Sequence, residues 1–307
     1  MAGLTLRIAT RKSPLALWQT EYVATRLRKL QPGLEVQIIG MSTQGDKMLE
    51  APLAEVGGKG LFVKELEQGI LDGKVDIAVH SMKDVPIELP GSLHIPVILA
   101  REDPYDAFVS NKYSTLSEIP KGGVVGTSSL RRECQLRALR PDLKITALRG
   151  NIGTRLLRLD EDKYDAIILA CAGLKRLGAS ERIREILSPE QILPAIGQGA
   201  IGIECKVKDM FTNAMIAPLA DTETTHCVKA ERAINQHLQG GCHMPIAGYA
   251  AKADNKLYLR GLVGTPNGSH VLRVEGTAAF SQAEALGAKL ARELLELGAK
   301  DILNIRN

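Results

Sequence analysis

Apolar and polar residues alternate in two different ways along the first part of the chain. Two apolar runs of strand length, at 4–9 and 34–41, enclose a stretch in which apolar residues recur at helical spacing. Ser13, followed directly by proline, caps the start of this helix, which ends near Leu30, a leucine on the predicted core face. This β-α-β order predicts a parallel sheet with a right-handed crossover.

The alternation continues and is interrupted twice by extended crossovers. After a predicted helix at 61–71, an apolar strand at 75–79 leads into a polar loop. An extended segment at 93–109 enters a second region of alternating strands and helices, and residues 194–204 return from it. Two crossovers between two α/β lobes are the wiring of a hinged, two-lobed binding protein, so we expect a ligand in a cleft between the lobes.

The final segment changes from alternating elements to consecutive strands. A helix is predicted at 223–238 and strands at 246–251, 256–263 and 270–275, before a closing helix whose leucines share one face as far as Leu297. Consecutive strands followed by a helix are typical of a small α+β domain with an antiparallel sheet.

These patterns predict three domains, which agrees with a length of 307 residues, long for a single core. Domain 1 is an α/β lobe made of residues 1–100 and 195–219. Domain 2 is an α/β lobe made of residues 101–194, and domain 3 is the α+β domain, residues 220–307.

Composition narrows the class of protein. A net charge of +4 is too small to imply nucleic-acid binding, and no apolar run approaches membrane-spanning length. The five cysteines are an odd number without a CxxC pair, which argues for a reducing compartment and against a disulfide framework or a cysteine zinc site. The six histidines show no metal-ligand spacing, so we predict no metal. With no signal-peptide apolar region at the N-terminus, we expect a soluble cytoplasmic protein that binds neither nucleic acid nor membrane.

Arginines are concentrated in the predicted domain 2. Seven lie between Arg131 and Arg158, with only Glu133 and Asp142 as acids among them. The segment 126–132 (GTSSLRR) places hydroxyls, free N–H groups and two arginines at a helix N-terminus, where the helix dipole disfavours cations unless an anion compensates. A plain N-cap with solvated arginines is the other interpretation. Arginine suits carboxylate as well as phosphate, and no GxxxxGK[ST] motif indicates a nucleotide.

Asp84 lies in the polar loop that follows the predicted strand at 75–79. In open α/β sheets, such loops at strand carboxyl ends form the binding crevice. Considered by itself, Asp84 could equally be a turn-forming residue before Val85-Pro86. With the arginines, it becomes a lone carboxylate in cationic surroundings, ionised and able to stabilise a developing cation. His80, which opens the loop, is interpreted as structural.

A thiol is presented on a glycine-rich loop near the start of predicted domain 3. Gly240-Gly241-Cys242 is followed by proline three residues later, so the segment is a tight loop. Cys242 is either a small packed hydrophobe or a group presented for chemistry. The adjacent His243 also allows a cysteine–histidine hydrolase, although adjacency in sequence does not make two side chains face each other.

Taken together, the motifs resemble those of the porphobilinogen deaminase family of the tetrapyrrole pathway, over nearly the whole chain. The resemblance is carried by residues 7–16 (RIATRKSPLA), 57–62 (GGKGLF), 80–84 (HSMKD), 126–132 (GTSSLRR), 148–151 (LRGN), 197–199 (GQG) and 240–242 (GGC). Each motif alone is a modest signal, whereas all of them in this order are highly specific. One departure is Met244, where the family usually has a β-branched residue, and we expect only altered loop packing from it.

The resemblance implies a fold, a cofactor and a reaction. The fold is two α/β lobes like those of periplasmic binding proteins, plus the C-terminal α+β domain. The cofactor is a dipyrromethane held through a thioether to Cys242. The enzyme condenses four molecules of porphobilinogen on this primer, releasing ammonia each time, and hydrolysis frees hydroxymethylbilane. Each pyrrole ring carries an acetate and a propionate, which accounts for the arginines without nucleic acid.

The resemblance also assigns roles to individual residues. Asp84 matches the catalytic carboxylate, stabilising cations formed by loss of ammonia. The positions matched to cofactor binding, besides Cys242, are Lys83, Ser129, Arg131, Arg132, Arg155, Thr127, Asp46 and Ser81. The positions matched to substrate binding are Arg11, Arg149, Arg176, Ser13, Gln19, Lys59, Phe62 and Gln198.

Two further expectations follow from the resemblance: residues 43–60 form a mobile loop that keeps water from the cleft, and the protein is a monomer. A two-lobed transport protein that captures a carboxylated ligand, and a ligand-sensing regulator on the same lobes, remain alternatives. The missing signal peptide counts against the first and the missing helix-turn-helix segment against the second.

Overall fold

The computed structural model of the chain describes residues 4–47, 60–241 and 244–303. The strands are β1 (Thr5–Arg11), β2 (Glu35–Met41), β3 (Ile77–Ser81), β4 (Leu93–Ile98), β5 (Asp106–Val109), β6 (Val124–Gly126), β7 (Lys144–Thr146), β8 (Ala166–Ala170), β9 (Glu185–Leu187), β10 (Ile201–Lys206), β11 (Ile246–Ala253), β12 (Lys256–Gly264) and β13 (Val271–Ala278). The α-helices are α1 (Pro14–Leu30), α2 (Gln44–Lys47), α3 (Lys64–Leu71), α4 (Leu130–Leu139), α5 (Ile152–Asp160), α6 (Cys171–Arg176), α7 (Met210–Ile216), α8 (Thr222–His237), α9 (Ala283–Glu296) and α10 (Ala299–Leu303).

The chain divides into two compact units, each built from two segments. Unit 1 comprises Met1–Arg101 and Ala200–Thr225, and unit 2 comprises Glu102–Gly199 and His226–Asn307. Unit 2 holds both the second α/β sheet and the C-terminal sheet. The three-domain division therefore stays a prediction.

Unit 1 is organised on a five-stranded sheet with the order β2-β1-β3-β10-β4. β1 pairs in parallel with β2 and β3, and β10 runs antiparallel between β3 and β4. Ile8 and Ile77, partners across β1 and β3, are fully buried in the core beneath α1. The carboxyl ends of β1, β2 and β3 consequently lie at one edge of the sheet.

The α/β sheet of unit 2 also mixes parallel and antiparallel strands. Its order is β7-β6-β8-β5-β9, with β6 parallel to β7 and β8, and β5 antiparallel to β8 and β9. Fully buried Phe108, Val125 and Ile168 form the centre of its core. The carboxyl ends of β6, β7 and β8 and the start of β5 therefore share one edge.

The C-terminal sheet of unit 2 has the order β11-β12-β13 and is antiparallel throughout. One face packs on α8 and α9. Leu259 of β12 and Leu290 of α9 are fully buried in the core between the sheet and these helices. At one end of the opposite face, Leu262 packs against Cys134 of α4 and Leu193. The predicted fold class, two α/β lobes and a small C-terminal α+β region, is confirmed.

Most predicted elements are confirmed, and two predicted core residues are wrong. α1 begins at Pro14, with Oγ of Ser13 accepting from the amide of Ala16 at 3.3 Å, as the cap signal indicated. Leu30 and Leu297, predicted on core faces, are 48% and 56% exposed. Each stands at or just past the last residue of its helix, since helical spacing specifies a face but not where the opposing surface ends.

Candidate active site

Three predicted residues of unit 1 come together at the carboxyl edge of its sheet. β1 ends at Arg11, β2 leads to Asp46 in α2, and β3 leads to Asp84 in a 3₁₀ turn. Because these strands are parallel neighbours, residues that follow them meet at one edge, the usual binding edge of an open α/β sheet.

Arg11 is the centre of this cluster. Its Nε donates to Oδ2 of Asp46 at 3.2 Å, its Nη2 pairs with Oδ1 of Asp46, and its Nη1 lies 4.0 Å from Oδ2 of Asp84. The guanidinium carbon lies 4.3 Å from the centroid of the Phe62 ring, a cation–π distance. Asp46 therefore takes the hydrogen bonds, while the carboxylate of Asp84, with a side chain 35% exposed, stays beyond hydrogen-bond distance of Arg11.

Asp46 is fixed by contacts at both ends of its turn. Its Oδ2 accepts from Oγ1 of Thr43 at 2.7 Å and from the Thr43 amide at 3.3 Å. Burial would raise the pKa of Asp46, but hydrogen bonds from Arg11 and Thr43 outweigh burial and leave the pKa lowered. Asp46 thus remains a charged anchor for Arg11.

A small pocket of about 50 Å³ collects further predicted residues around this cluster. The predicted residues that line it are Arg11, Ser13, Gln19, Phe62, Ser81 and Asp84. Nε2 of Gln19 lies 2.9 Å from Oγ of Ser81, which ties α1 to the end of β3. Lys83 lies in the same turn as Asp84 and is half-buried, whereas Lys59 lies outside the described residues.

His80, interpreted as structural from the sequence, belongs to a buried cluster of hydrogen-bonded polar side chains. Its Nε2 lies 2.8 Å from Oε2 of Glu204 on the neighbouring β10, and both side chains are almost fully buried. Burial, together with the charge of Glu204, raises the pKa of nearby Glu67. The cluster ties β3 to β10 directly behind the loop that carries Asp84.

The carboxyl edge of the α/β sheet in unit 2 collects the predicted cofactor-binding residues of that unit. Thr127 and Ser129 follow β6, with Oγ of Ser129 capping α4. Arg149 follows β7, and Arg155 lies in α5, which Asn151 caps. Parallel strands place these segments side by side, as the repeated strand–turn–arginine pattern predicted.

A serine that the sequence did not single out joins the two turns at this edge. Oγ of Ser128 donates to the carbonyl of Leu148 at 3.0 Å and accepts from the amide of Leu148 at the same distance. One hydroxyl thereby satisfies both backbone groups of a residue in the neighbouring turn. The turn that carries Ser129 is fixed relative to the turn that carries Arg149.

The positive charges of Arg131 and Arg132 are compensated by a buried carboxylate of the protein, that of Asp106. Nη1 of Arg131 donates to Oδ2 of Asp106 at 2.7 Å, and Nε and Nη2 of Arg132 donate to Oδ1 at 3.0 and 2.6 Å. Nε2 of Gln198 donates to the same Oδ1 at 3.0 Å. All of these side chains are buried. Burial would raise the pKa of Asp106, but the charges of the two arginines hold it well below its usual range.

Sequence reasoning missed Asp106, the first residue of β5. Its only local signal is an acid directly before an apolar strand, and its partners lie 25 and 26 positions away. The antiparallel pairing of β5 with β8 brings it to the carboxyl edge, where it meets the first turn of α4.

The predicted arginines Arg155 and Arg176 are held by backbone carbonyls. Nε of Arg155 donates to the carbonyl of Gly150 at 2.8 Å, and Nη2 of Arg176, at the end of α6, donates to the carbonyl of Gly199 at 2.7 Å. Arg131 and Arg132 also donate to carbonyls, those of Leu193 and Ile168. A carbonyl orients a guanidinium without cancelling its charge. Arg131 and Arg132 share the single carboxylate of Asp106, so this pair keeps a net positive charge.

The cysteines divide into four that the structure describes and one that it does not. Cys134, Cys171, Cys205 and Cys227 are buried and are not in disulfide bonds. Burial raises the pKa of Cys134 to about 11 and those of Cys171 and Cys205 to about 12, so these thiols are protonated at neutral pH. Cys242 and its neighbour His243 lie outside the described residues.

The described parts of the chain hold neither a cluster of metal-ligating side chains nor a membrane-spanning helix. No group of three or more His, Cys, Asp or Glu side chains is arranged to hold a metal ion in residues 4–47, 60–241 and 244–303. No helix in those ranges has both the length and the apolar character needed to cross a membrane.

Mixed α/β sheets with arginines at their carboxyl edges define a protein of the α/β ligand-binding class. Family models are more specific. Residues 6–214 match the model described as "Porphobilinogen deaminase, dipyromethane cofactor binding domain", and residues 225–296 match "Porphobilinogen deaminase, C-terminal domain". The chain belongs to the porphobilinogen deaminase family, whose members are transferases of porphyrin biosynthesis with a dipyrromethane cofactor.

Solved structures of lower similarity include several binding proteins. A periplasmic substrate-binding protein of an ABC transporter from Coxiella burnetii is 15% identical, with a TM-score of 0.45, over 70% of this chain and 91% of that one. A putative methionine-binding lipoprotein from Bacillus subtilis is 12% identical, with a TM-score of 0.42, over 70% of this chain and 89% of that one.

Proposed function

We propose that the chain condenses four molecules of porphobilinogen, with loss of ammonia, on a covalently bound dipyrromethane primer and releases hydroxymethylbilane by hydrolysis. The observation that carries the proposal is the arginine-rich carboxyl edge of the unit 2 sheet. It lies within the segment that matches the cofactor-binding family model. Substrate and primer both bear acetate and propionate groups, the anions that guanidinium groups bind best in a bidentate manner.

The residues present fit a dipyrromethane by the chemistry of their donor groups. Arg155 and Arg176 donate to the neutral carbonyls of Gly150 and Gly199, contacts that orient a guanidinium without cancelling its charge. Ser129 and Thr127 stand at the N-terminal end of α4, where the helix dipole also favours anions. The residues proposed for dipyrromethane binding are Lys83, Ser129, Arg131, Arg132, Arg155, Thr127, Asp46 and Ser81. The cations and hydroxyls among them are suited to carboxylates, whereas Asp46, itself an anion, orients Arg11. When bound, the dipyrromethane supplies the nucleophilic pyrrole carbon on which the chain grows.

Asp106 modifies the roles proposed for Arg131 and Arg132. The hydrogen bonds of Arg131 use Nη1, so its Nε and Nη2 still carry N–H groups that could meet a carboxylate. All three nitrogens of Arg132 already donate within unit 2. We therefore assign Arg131 to direct carboxylate binding and Arg132 to fixing Asp106, which in turn positions Arg131.

Cys242 is the proposed attachment point of the primer, through a thioether. Support comes from the motif Gly240-Gly241-Cys242 and from the state of the other thiols. The four cysteines that the structure describes are buried, and the pKa is raised for Cys134, Cys171 and Cys205. A protonated, buried thiol is a poor nucleophile, which leaves Cys242 as the candidate.

Asp84 is the proposed catalytic carboxylate. Departure of ammonia from porphobilinogen leaves a positive charge on the ring that a nearby carboxylate stabilises. Oδ2 of Asp84 is 4.0 Å from Nη1 of Arg11 and the side chain is partly exposed, so it can face a pyrrole N–H and later accept a proton. Arg11 and Phe62, which contact each other, line the same pocket as this carboxylate.

Substrate binding is assigned to residues of both units. Arg11 in unit 1 and Arg149 and Arg176 in unit 2 are the proposed partners of substrate carboxylates. The accompanying residues are Ser13, Gln19, Lys59, Phe62 and Gln198. Gln198 is largely engaged by Asp106 and the carbonyl of Pro104, so we assign it to positioning.

The intact mass of the purified protein, with Cys242→Ser alongside, tests this function. We expect the wild-type chain to exceed its sequence mass by one dipyrromethane and the variant to show no excess. Cys227→Ser is the matched control, because it removes a buried thiol outside the glycine loop. Its mass excess should remain.

The outcomes separate the proposal from the alternatives. An unmodified wild-type chain that gains the mass on incubation with porphobilinogen is an enzyme purified without primer. A chain that never gains it, but binds carboxylates, is a binding protein or ligand-sensing regulator, and the proposed function is then wrong. An excess that survives in Cys242→Ser would place the attachment elsewhere.

We also propose that the enzyme works in the cytoplasm as a monomer with porphobilinogen as its small-molecule partner. The four described cysteines are not in disulfide bonds, which supports a reducing compartment. Light scattering coupled to gel filtration should give the mass of one chain, 33.2 kDa plus primer, and a dimer mass would contradict the monomer.

A further inference from the structure

A groove opens on the C-terminal sheet of unit 2, away from the helices that cover its other face. Its volume is about 390 Å³, in the range of small-molecule sites. Alternate residues of two neighbouring strands point into it, Tyr258 and Arg260 from β12 and Arg273 and Glu275 from β13. Leu193, from the segment before β10, adds an apolar wall.

One of the two arginines in this groove is compensated by the protein. Nη1 of Arg260 donates to Oε1 of Glu190 at 2.6 Å, and its Nη2 donates to the carbonyl of Pro189 at 2.7 Å. The other acid of the groove, Glu275, accepts from the hydroxyl of Tyr258 at 2.5 Å. Both carboxylates of the groove are therefore already engaged.

Arg273 has no such compensation. Across the ranges that the structure describes, it makes no hydrogen bond and no ion pair. Partial burial and then the like charge of Arg260 lower its pKa. Two guanidinium groups thus line the same groove, and among the described residues that of Arg273 has no counter-charge. An added anion would stabilise this pair of positive charges.

We propose that this groove binds a small organic anion, with its carboxylate or phosphate on Arg273 and its body against Tyr258 and Leu193. The planar guanidinium of Arg273 offers bidentate donors to either anion, and Arg260 adds a second positive charge to the same space. The tyrosine ring offers a surface for a flat or apolar ligand. None of these residues belongs to the proposed active site, so anion binding in the groove can be tested independently of the proposed reaction.

A TROSY titration of the full-length, deuterated and ¹⁵N-labelled protein tests the site locally. Inorganic phosphate and phthalate, an aromatic dicarboxylate, are the two probes, each added at constant ionic strength set with sodium chloride. We expect the amides of Gly261 and Val274, which line the groove, to shift and saturate. Saturation by phosphate alone indicates a phosphate ligand, and stronger saturation by phthalate indicates a carboxylate with an apolar body.

Matched variants decide whether Arg273 is responsible. Arg273→Gln should weaken binding of the probe at least tenfold, because it removes the positive charge that would pair with the anion. Arg292→Gln, at an exposed position in α9, removes the same charge elsewhere and should bind like wild type. Equal binding by Arg273→Gln and wild type would overturn the proposal. So would shifts no larger than those produced by sodium chloride alone.

Discussion

At the scale of single residues, Asp46 and Asp84 both lie beside Arg11, but their hydrogen-bond partners give them different roles. Asp46 takes the hydrogen bonds of the guanidinium and of Thr43, so it serves as an anchor. Asp84 stays 4.0 Å from the same arginine with a partly exposed carboxylate. Asp84 therefore has more of its hydrogen-bonding capacity left for a substrate than Asp46 has.

Replacing Asp84 by Asn keeps the shape of the side chain and removes its charge. We expect kcat to fall by about 10²–10⁴-fold, the usual range for losing a charge-stabilising or proton-transferring group. The mass excess of the primer should remain, because attachment at Cys242 does not use this carboxylate. Consumption of porphobilinogen measures the rate and intact mass measures the primer.

Asp254→Asn is the control for that variant. Asp254 is exposed in the turn between β11 and β12 with φ of 47°, a backbone region that Asn adopts readily. Its kcat should match wild type. Normal turnover by Asp84→Asn would remove Asp84 from the mechanism.

A glycine of the segment before β10 is fixed by sterics as well as by backbone conformation. Gly199 has φ of 86°, and an added Cβ would lie 2.3 Å from the carbonyl oxygen of Glu102. Gly178, with φ of 69°, has no atom within 4 Å of that position. Gly178→Ala should therefore cost about 1–2 kcal/mol, the cost of the conformation alone.

Gly199→Ala should cost about 1–3 kcal/mol more, because backbone must move to relieve the overlap. The carbonyl of Gly199 also holds Arg176, so the shift should raise KM for porphobilinogen. Urea denaturation and steady-state kinetics measure the two effects. Equal stability losses in the two variants would show that the overlap is relieved without cost.

At the scale of elements, the first turn of α4 depends on an acid delivered by β5. Asp106 is fully buried and receives hydrogen bonds from Arg131, Arg132 and Gln198. Asp106→Asn would leave two buried guanidinium groups without a counter-charge, so we expect a loss of about 3–5 kcal/mol in the free energy of unfolding. Urea denaturation at neutral pH measures it.

Asp142→Asn is the matched control in the same unit. Asp142 pairs with Arg140 at 2.7 Å, but both side chains are partly exposed. The loss should stay below about 1 kcal/mol, the usual limit for a solvated pair. Equal losses in the two variants would contradict the role assigned to Asp106.

The pH dependence of stability follows from the direction of the Asp106 pKa shift. Because its folded pKa lies below the unfolded value of about 3.9, its contribution is complete above that value and declines as pH falls towards the folded pKa. The stability difference between wild type and Asp106→Asn should be constant from about pH 8 to about pH 5 and shrink below about pH 4. A difference that already shrinks near neutrality would contradict this sign.

The elements show what local patterns can and cannot predict. Ser13 and the start of α1 are fixed by neighbours in sequence, so the cap was predicted correctly. Arg131 and Arg132 were interpreted as anion-binding because the helix dipole disfavours cations in the first turn unless an anion compensates, whereas the compensating acid, Asp106, arrives from β5 through sheet pairing. The antiparallel direction of β10 likewise depends on distant strands. For Arg149 and Arg155, the repeated strand–turn–arginine pattern was sufficient to predict a shared edge.

At the scale of the whole molecule, charge is local rather than global. The net charge is only +4, yet arginines are concentrated at the carboxyl edge of the unit 2 sheet. Attraction of an anionic substrate should therefore depend on these groups and on the salt that screens them.

Raising sodium chloride from about 0.05 M to about 0.5 M should raise KM for porphobilinogen several-fold and change kcat little, because screening weakens binding more than chemistry. Steady-state kinetics measure both constants. Sucrose at equal osmolality is the control and should leave KM unchanged. A KM independent of salt would argue that the substrate carboxylates are not bound by charge.

The position of β10 has a consequence for how the chain is made. β10 occupies the place between β3 and β4 in the unit 1 sheet, although residues 102–199 of unit 2 separate it from β4 along the chain. A ribosome therefore releases β3 and β4 long before the strand that joins them exists, and each exposes an unpaired edge during that interval. Unit 1 cannot complete its sheet until residue 206 has emerged. The order of the chain therefore creates a need to protect those edges during synthesis.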